Sequence, residues 1–162
     1  MSSEFKPMRF AIAEALRDSP AQTDRMFRLQ TLCAAADSVI EKDMAQALVD
    51  NAALTASGAP SVRTPTASID GPGKLTITAQ LKLDRFRADF ALSMEGGRQL
   101  VIECDGIEWH DRTSQQFVSE RQRERDILIL GWPVMRFTGA EIMRNPDACA
   151  ADVAAYLTGG DT

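Results

Sequence analysis

The sequence predicts an α/β fold: a mixed β-sheet flanked by helices, with a helical extension at the N-terminus. Two observations carry this. Residues 74–80 and 85–92 alternate in polarity at every second position, and residues 100–104 are short, apolar and β-branched, as strands are. On either side of them, residues 38–54 place apolar side chains at helical spacing, and residues 115–130 set Phe117, Arg121, Glu124 and Leu128 on one broad helical face. The resulting order is helix, loop, strand, strand, strand, helix, strand, helix, which layers helices against a sheet. A chain of 162 residues suits one main domain with a real core. We divide it into an N-terminal helical extension, residues 1–36, and the main α/β domain, residues 37–162.

In the extension, Phe5, Phe10, Ile12, Ala13 and Leu16 come at near-helical spacing. Ser19-Pro20 breaks that run and opens a second helix at Ala21, whose apolar face is expected to be Met26, Phe27, Leu29 and Leu32. These helices are expected to pack on the core, on a second copy in a homodimer or on a protein partner.

Asp37 or Ser38 can cap the next helix, which runs to about Leu54. Ile40, Met44, Ala47 and Leu48 form its inward stripe. Glu41 sits beside that stripe, where a first-turn acid suits the helix dipole. Residues 55–73 are rich in Ser, Thr, Pro and Gly and read as a long loop with a short strand near Ser68 to Asp70. Loops of this length often bind something. A strand follows over 74–80.

The hairpin comes next. Phe86, Ala88, Phe90 and Leu92 are expected on one face of its first strand, with Arg85, Arg87 and Asp89 on the other. Glu95-Gly96-Gly97 makes the turn. The second strand, through Leu100, Val101 and Ile102, reads as buried on both faces. A register centred on Gly96 sets Asp89 opposite Glu103, with Cβ atoms roughly 5 Å apart. Asp105 follows at the same parity. Carboxylates crowded in this way repel one another and resist ionisation against apolar walls. Either these are strand-end acids that face water or pair with Arg85 and Arg87, or a divalent cation removes the repulsion, and hard oxygen donors suit Mg²⁺.

Residues 106–114 form a loop carrying Trp109, either a lid on the core or an aromatic that meets nucleic acid, and His110, the one histidine of the chain. The helix over 115–130 interleaves Arg121, Arg123 and Arg125 with Glu120, Glu124 and Asp126. It reads as a solvated face laced with ion pairs, unless Arg121 or Arg125 reaches a phosphate. Gly131 opens a strand over 132–137, in which Arg136 points away from Met135 and Phe137 to bind phosphate or pair with an acid. A terminal helix pair breaks at Asn145-Pro146.

Several of these stretches together resemble the PD-(D/E)XK nuclease superfamily. They are Arg87-Ala88-Asp89-Phe90, Val101-Ile102-Glu103-Cys104-Asp105-Gly106 with His110, Glu120-Arg121-Gln122-Arg123-Glu124, and Gly131-Trp132-Pro133-Val134-Met135-Arg136-Phe137. Within that superfamily the chain is similar to the very-short-patch-repair-endonuclease-like group, over about residues 38–157. Ser38-Val39-Ile40-Glu41 resembles the start of that group's first core helix. Asp105 stands where the superfamily pattern has lysine, Val39 where proline is common, and Glu120 where aspartate is common.

The resemblance implies a restriction-endonuclease-like core and a metal-dependent DNA endonuclease. Asp89 and Glu103 would hold Mg²⁺ (or Mn²⁺) with the Cys104 backbone carbonyl. Asp105 or His110 would orient or deprotonate the attacking water, and Glu41 would help place a second ion. Arg87, Arg121, Arg125 and Arg136 are the candidates for contact with DNA. The alternative is a non-catalytic module on the same fold that binds nucleic acid or protein.

Composition narrows the setting. A net charge of −5 speaks against a broad polyanion-binding surface, so affinity for DNA must come from a local basic stripe. Cys33, Cys104 and Cys149 are isolated, without the spacing of a zinc site or a disulfide framework, and suit a reducing cytoplasm. The N-terminal residues lack the basic and apolar regions of a secretory signal, and no apolar run reaches the roughly 18 residues of a membrane helix.

Overall fold

The computed structural model describes residues 19–106 and 113–159. They form α1 (Pro20–Ala35), α2 (Val39–Asp50), β1 (Ser61–Arg63), β2 (Ser68–Ile69), β3 (Leu75–Leu83), β4 (Phe86–Met94), β5 (Gln99–Asp105), α3 (Ser114–Ile129), β6 (Val134–Thr138), α4 (Gly139–Arg144) and α5 (Pro146–Leu157). One six-stranded sheet runs in the order β2-β1-β3-β4-β5-β6. β1 and β3 are parallel, as are β5 and β6, while the other neighbours are antiparallel. The expected mixed sheet flanked by helices is the fold observed.

The main core lies on the face covered by α2 and α5. Met44 and Leu48 of α2 and Val153 of α5 pack against Leu75, Ile77, Phe90, Leu92, Leu100 and Ile102. The smaller core lies on the other face, where Ile127 of α3 meets Ala88, Ala91 and Val101. β5 is therefore buried on both sides, as its apolar run predicts.

Each helix begins where a side chain can take up a free backbone N–H. Ser19, Ser38, Thr113, Thr138 and Asn145 cap α1 to α5 in turn. Asn51 ends α2 by accepting from the N–H groups of Ala53 and Leu54, each at 3.0 Å, so the helix stops short of the expected Leu54.

The inward face of α1 differs from the expected one. Met26 and Phe27 are 41% and 59% exposed, while Arg28 is only 2% exposed and Leu32 is fully buried. The stripe that packs runs through Arg28, Leu29, Leu32 and Cys33, with the usual i, i+4 spacing, and a charged residue sits within it. Arg28 Nε donates to the Pro60 carbonyl and Nη2 to the Asp70 carbonyl, both at 2.6 Å. That fork holds both ends of the 60–70 segment. The long loop accordingly contains an extra strand, β1, which pairs with β3 and extends the sheet. Gly71 closes it: a Cβ there would lie 2.3 Å from the Ala59 carbonyl oxygen.

The hairpin register is centred as expected, but the ladder ends at Phe90↔Ile102 and the expected Asp89–Glu103 pair does not form. The β4–β5 pairs run from Ser93↔Gln99 to Phe90↔Ile102, centred on Gly96, whose φ is +69°. The facing of β4 is not as expected. Phe90 and Leu92 enter the main core, but Phe86 and Ala88 belong to the smaller one. β3 does the same, with Ile77 and Ala79 on one side and Leu81 and Leu83 on the other. The β3–β4 ladder pairs Ala79↔Phe90 and then Leu81↔Ala88, and Gln80 and Asp89 are left between them. Gln80 has φ +54°, which reverses the pleat, so both strands change face at one level without losing register.

Candidate active site

The change of face places three elements around one point. Asp89 sits where it occurs in β4, and Gln80 where it occurs in β3. Beyond Phe90↔Ile102 the β4–β5 ladder stops, while β5 continues along β6 through Glu103↔Arg136, Cys104↔Phe137 and Asp105↔Thr138. The Cys104 N–H, freed from β4, donates instead to Asp89 Oδ2 at 2.8 Å. Asp89 thus stands where β4 and β5 part.

Among the described residues the buried polar side chains are Arg28, Glu41, Gln80 and Glu103, and the last three gather near this point. Glu41, 5% exposed, accepts from Gln80 Nε2 at 2.9 Å, Ser38 Oγ at 2.9 Å and the Asp37 N–H at 3.0 Å. Glu41 thus braces the first turn of α2, and its charge acts on Asp89. Gln80 Oε1 is buried and accepts no hydrogen bond within the described structure.

The acids on the α3 side are met by arginines. Glu103 Oε1 lies 2.9 Å from Arg123 Nη2. Asp105 lies 3.4 Å from Arg136 Nη1, which also approaches Glu120 at 3.6 Å, while Arg136 Nε is 3.1 Å from Glu124. Arg136 is thus enclosed by carboxylates, the second of its two expected roles. Of the other arginines considered for DNA contact, Arg87 reaches Asp37 at 2.6 Å, Arg121 reaches Glu124 at 2.9 Å and Arg125 donates to Gln122 at 2.8 Å. Arg121 and Arg125 line a cleft on the flank of α3 with Pro133 and Val134, whereas Arg87 stands beside Asp89. His110 and Trp109 lie outside the described residues.

The electrostatics follow from this crowding. Burial raises Asp89 to a pKa of about 7, the Cys104 N–H opposes the rise, and the charges of Glu103 and Glu41 add to it. Burial also raises Glu103, and the Arg123 guanidinium holds that rise back. The Cys104 thiol is pushed up by burial and by the same acids, so it is no nucleophile.

Among the described residues, no three His, Cys, Asp or Glu side chains converge as a complete metal-ligand set. A cation here must draw on side-chain carboxylates together with backbone oxygen and water. The chemistry of the donors fits Mg²⁺ or Mn²⁺, because every candidate ligand is a hard oxygen. The buried Gln80 Oε1 adds one more such oxygen with capacity to spare.

The alternating charges of residues 115–130 do not by themselves mark out Arg123. A signal was present: Arg123 lies four residues before Ile127, the only described residue of α3 that is buried, so both face the sheet.

Residues 72–157 match the family model REase_MTES_1575, which describes a restriction-endonuclease-like family. The matched span covers β3 to α5 and more than half of the chain, and it includes Asp89, Glu103, Asp105 and Arg123. No curated protein and no solved structure matches.

Proposed function

The chain belongs to the restriction-endonuclease-like family REase_MTES_1575, a nuclease type of fold, and on that premise we propose that it is a metal-dependent endonuclease acting on DNA. One observation carries the reading: Asp89 and Glu103, whose order along the chain matches the superfamily's acids, stand at the parting of β4 and β5 inside the matched span. Membership alone would support only the fold and the general class of activity. The placement of these acids supports the chemistry.

Asp89, Glu103 and the Cys104 carbonyl would hold the cation, which when bound would polarise the scissile phosphate and acidify the attacking water. The chain's own groups do the rest. Gln80 and Ser38 fix the Glu41 carboxylate so that its charge faces Asp89. Arg136 lies against Asp105 at the end of β5, the carboxylate that would orient or deprotonate the attacking water. His110 is the second candidate for that role. Arg87 supplies positive charge beside Asp89 for the phosphate backbone, and Arg85 (68% exposed), in the turn between β3 and β4, supplies more on the α3 side.

The pairing of Glu103 and Asp105 with internal arginines favours one other reading, a binding module whose acids are permanently neutralised. Cleavage decides between them. Plasmid and oligonucleotide DNA incubated with Mg²⁺, Mn²⁺ or EDTA should be cut by the wild-type protein only with the metal, and not by Glu103→Ala. Cleavage that persists in EDTA or in Glu103→Ala overturns the assignment. Absence of both cleavage and metal binding favours the binding module.

A further inference from the structure

The Arg123 guanidinium lies against the carboxylate that the proposed site needs most. Its Nη2 is 2.9 Å from Glu103 Oε1 and 2.8 Å from the Arg87 carbonyl oxygen. The two contacts differ in kind. The one to Arg87 is a hydrogen bond to a neutral carbonyl, whereas the one to Glu103 is a charge contact with a carboxylate. The guanidinium also lies over the Phe86 ring, 5.8 Å from its centroid. Arg123 can therefore leave Glu103 and still keep a carbonyl and an aromatic face.

Glu103 has no such freedom. Its side chain is 8% exposed and lies on a strand held on one side by β6. A Mg²⁺ ion binds carboxylate oxygen at roughly 2.1 Å and requires near-octahedral order. A guanidinium and a divalent ion on the same buried oxygen would repel each other strongly in that low dielectric.

We propose that Arg123 is the resident cation of this site: it holds Glu103 in the metal-free protein and is displaced from it by the divalent ion, so that a helix side chain and the metal compete for one carboxylate. The inference rests on the metal-site reading above and adds the group against which the metal must bind. It makes Arg123 a positioning residue. In the metal-free protein it offsets the charge of a buried acid that stands among Asp89 and Asp105. In the metal-bound protein its freed charge remains beside Arg87, at the edge where a phosphate would approach.

A competitor and a purely structural partner predict opposite signs. Loss of a structural ion pair loosens the site and weakens the metal, whereas loss of a competitor tightens it. Calorimetric titration of Mn²⁺ into EDTA-stripped, dialysed full-length protein reads this directly. Arg123→Gln is expected to bind Mn²⁺ roughly fivefold or more tightly than wild type, the scale of a partly screened ion pair. Arg123→Lys, which keeps the charge but loses the planar fork, is expected to fall between them. Glu103→Gln is expected to lose the site.

A measurement on the unmutated protein covers the case in which a variant fails to fold. The Arg123 Nε–H resonance should move as Mg²⁺ is added, along the same isotherm, and should stay fixed in Glu103→Gln. If wild type binds Mn²⁺ while Arg123→Gln binds it equally or more weakly, or if the resonance does not move as metal binds, competition is overturned and the nuclease reading stands. If neither wild type nor Arg123→Gln binds metal, the metal-site reading itself falls and the competition falls with it.

Discussion

Asp89 keeps its proton to a pH of about 7 because burial and two neighbouring carboxylates act in one direction, and its one opposing hydrogen bond is weaker. The raised value has a consequence for stability. A carboxyl with a pKa of about 7 in the folded chain and 3.8 in the unfolded one binds more protons when folded between those values. Its contribution is therefore fully present below 3.8 and is lost as the pH rises through about 7. Metal-free wild-type protein should melt at a progressively lower temperature across that window, and Asp89→Asn should flatten the dependence. A thermal melt series in EDTA checks it; a wild-type profile as flat as that of Asp89→Asn would remove the raised carboxyl. The same variant should cut DNA at least 100-fold more slowly, the usual scale for a lost charge-handling group at a reacting centre. The β4–β5 register was legible in the sequence because strand parity and a glycine turn fix it without tertiary information, but the ladder parts before Asp89 and Glu103 can pair. Arg123 was not legible, because a helix alternating in charge does not show which cation turns inward.

At the scale of elements, the sheet owes its extra edge to α1. Arg28 spans the Pro60 and Asp70 carbonyls and so holds the segment that carries β1 and β2. Arg28→Ala leaves those acceptors without their buried donor and should cost about 3 kcal/mol in urea denaturation, with Arg28→Lys recovering little because an ammonium cannot bridge two carbonyls as a fork does. An unchanged midpoint for Arg28→Ala would show that the loop is held by its own turns. Gly71→Ala should destabilise for a different reason, since the Cβ has backbone rather than a flexible side chain in its way. The elements with strong periodicity were legible, and so was the break at Asn145-Pro146. β1 was hidden because three residues show no period, and its strand conformation exists only by pairing with β3. The packed stripe of α1 was hidden because its central residue is an arginine, which sequence reading assigns to water.

The whole molecule carries a net charge of −5, so the proposed hold on DNA would rest on local positive charge such as that of Arg87. Binding of a labelled duplex, followed by anisotropy with Ca²⁺ in place of a catalytic ion, should weaken roughly tenfold or more between 50 and 200 mM salt. Arg87→Ala should weaken it further and reduce the salt dependence. A salt-independent affinity would point to base contacts or to another surface. Among the described residues no helix is long and apolar enough to cross a membrane. The layered α/β plan was legible because it needs only the order of periods. The reversal of face within the hairpin was not, because alternation continues in the sequence while the backbone turns over beneath it at Gln80. That reversal limits how the gene can drift. A single-codon deletion in β3 or β4 before the turn-over point would have to be matched in its neighbour. Otherwise Phe86 and Ala88 would change sides, the apolar seat of α3 would face solvent, and the helix that brings Arg123 to the acids would lose its footing. Length changes in this hairpin are therefore expected to come in pairs, and Gln80 and Asp89 to travel together through sequence history.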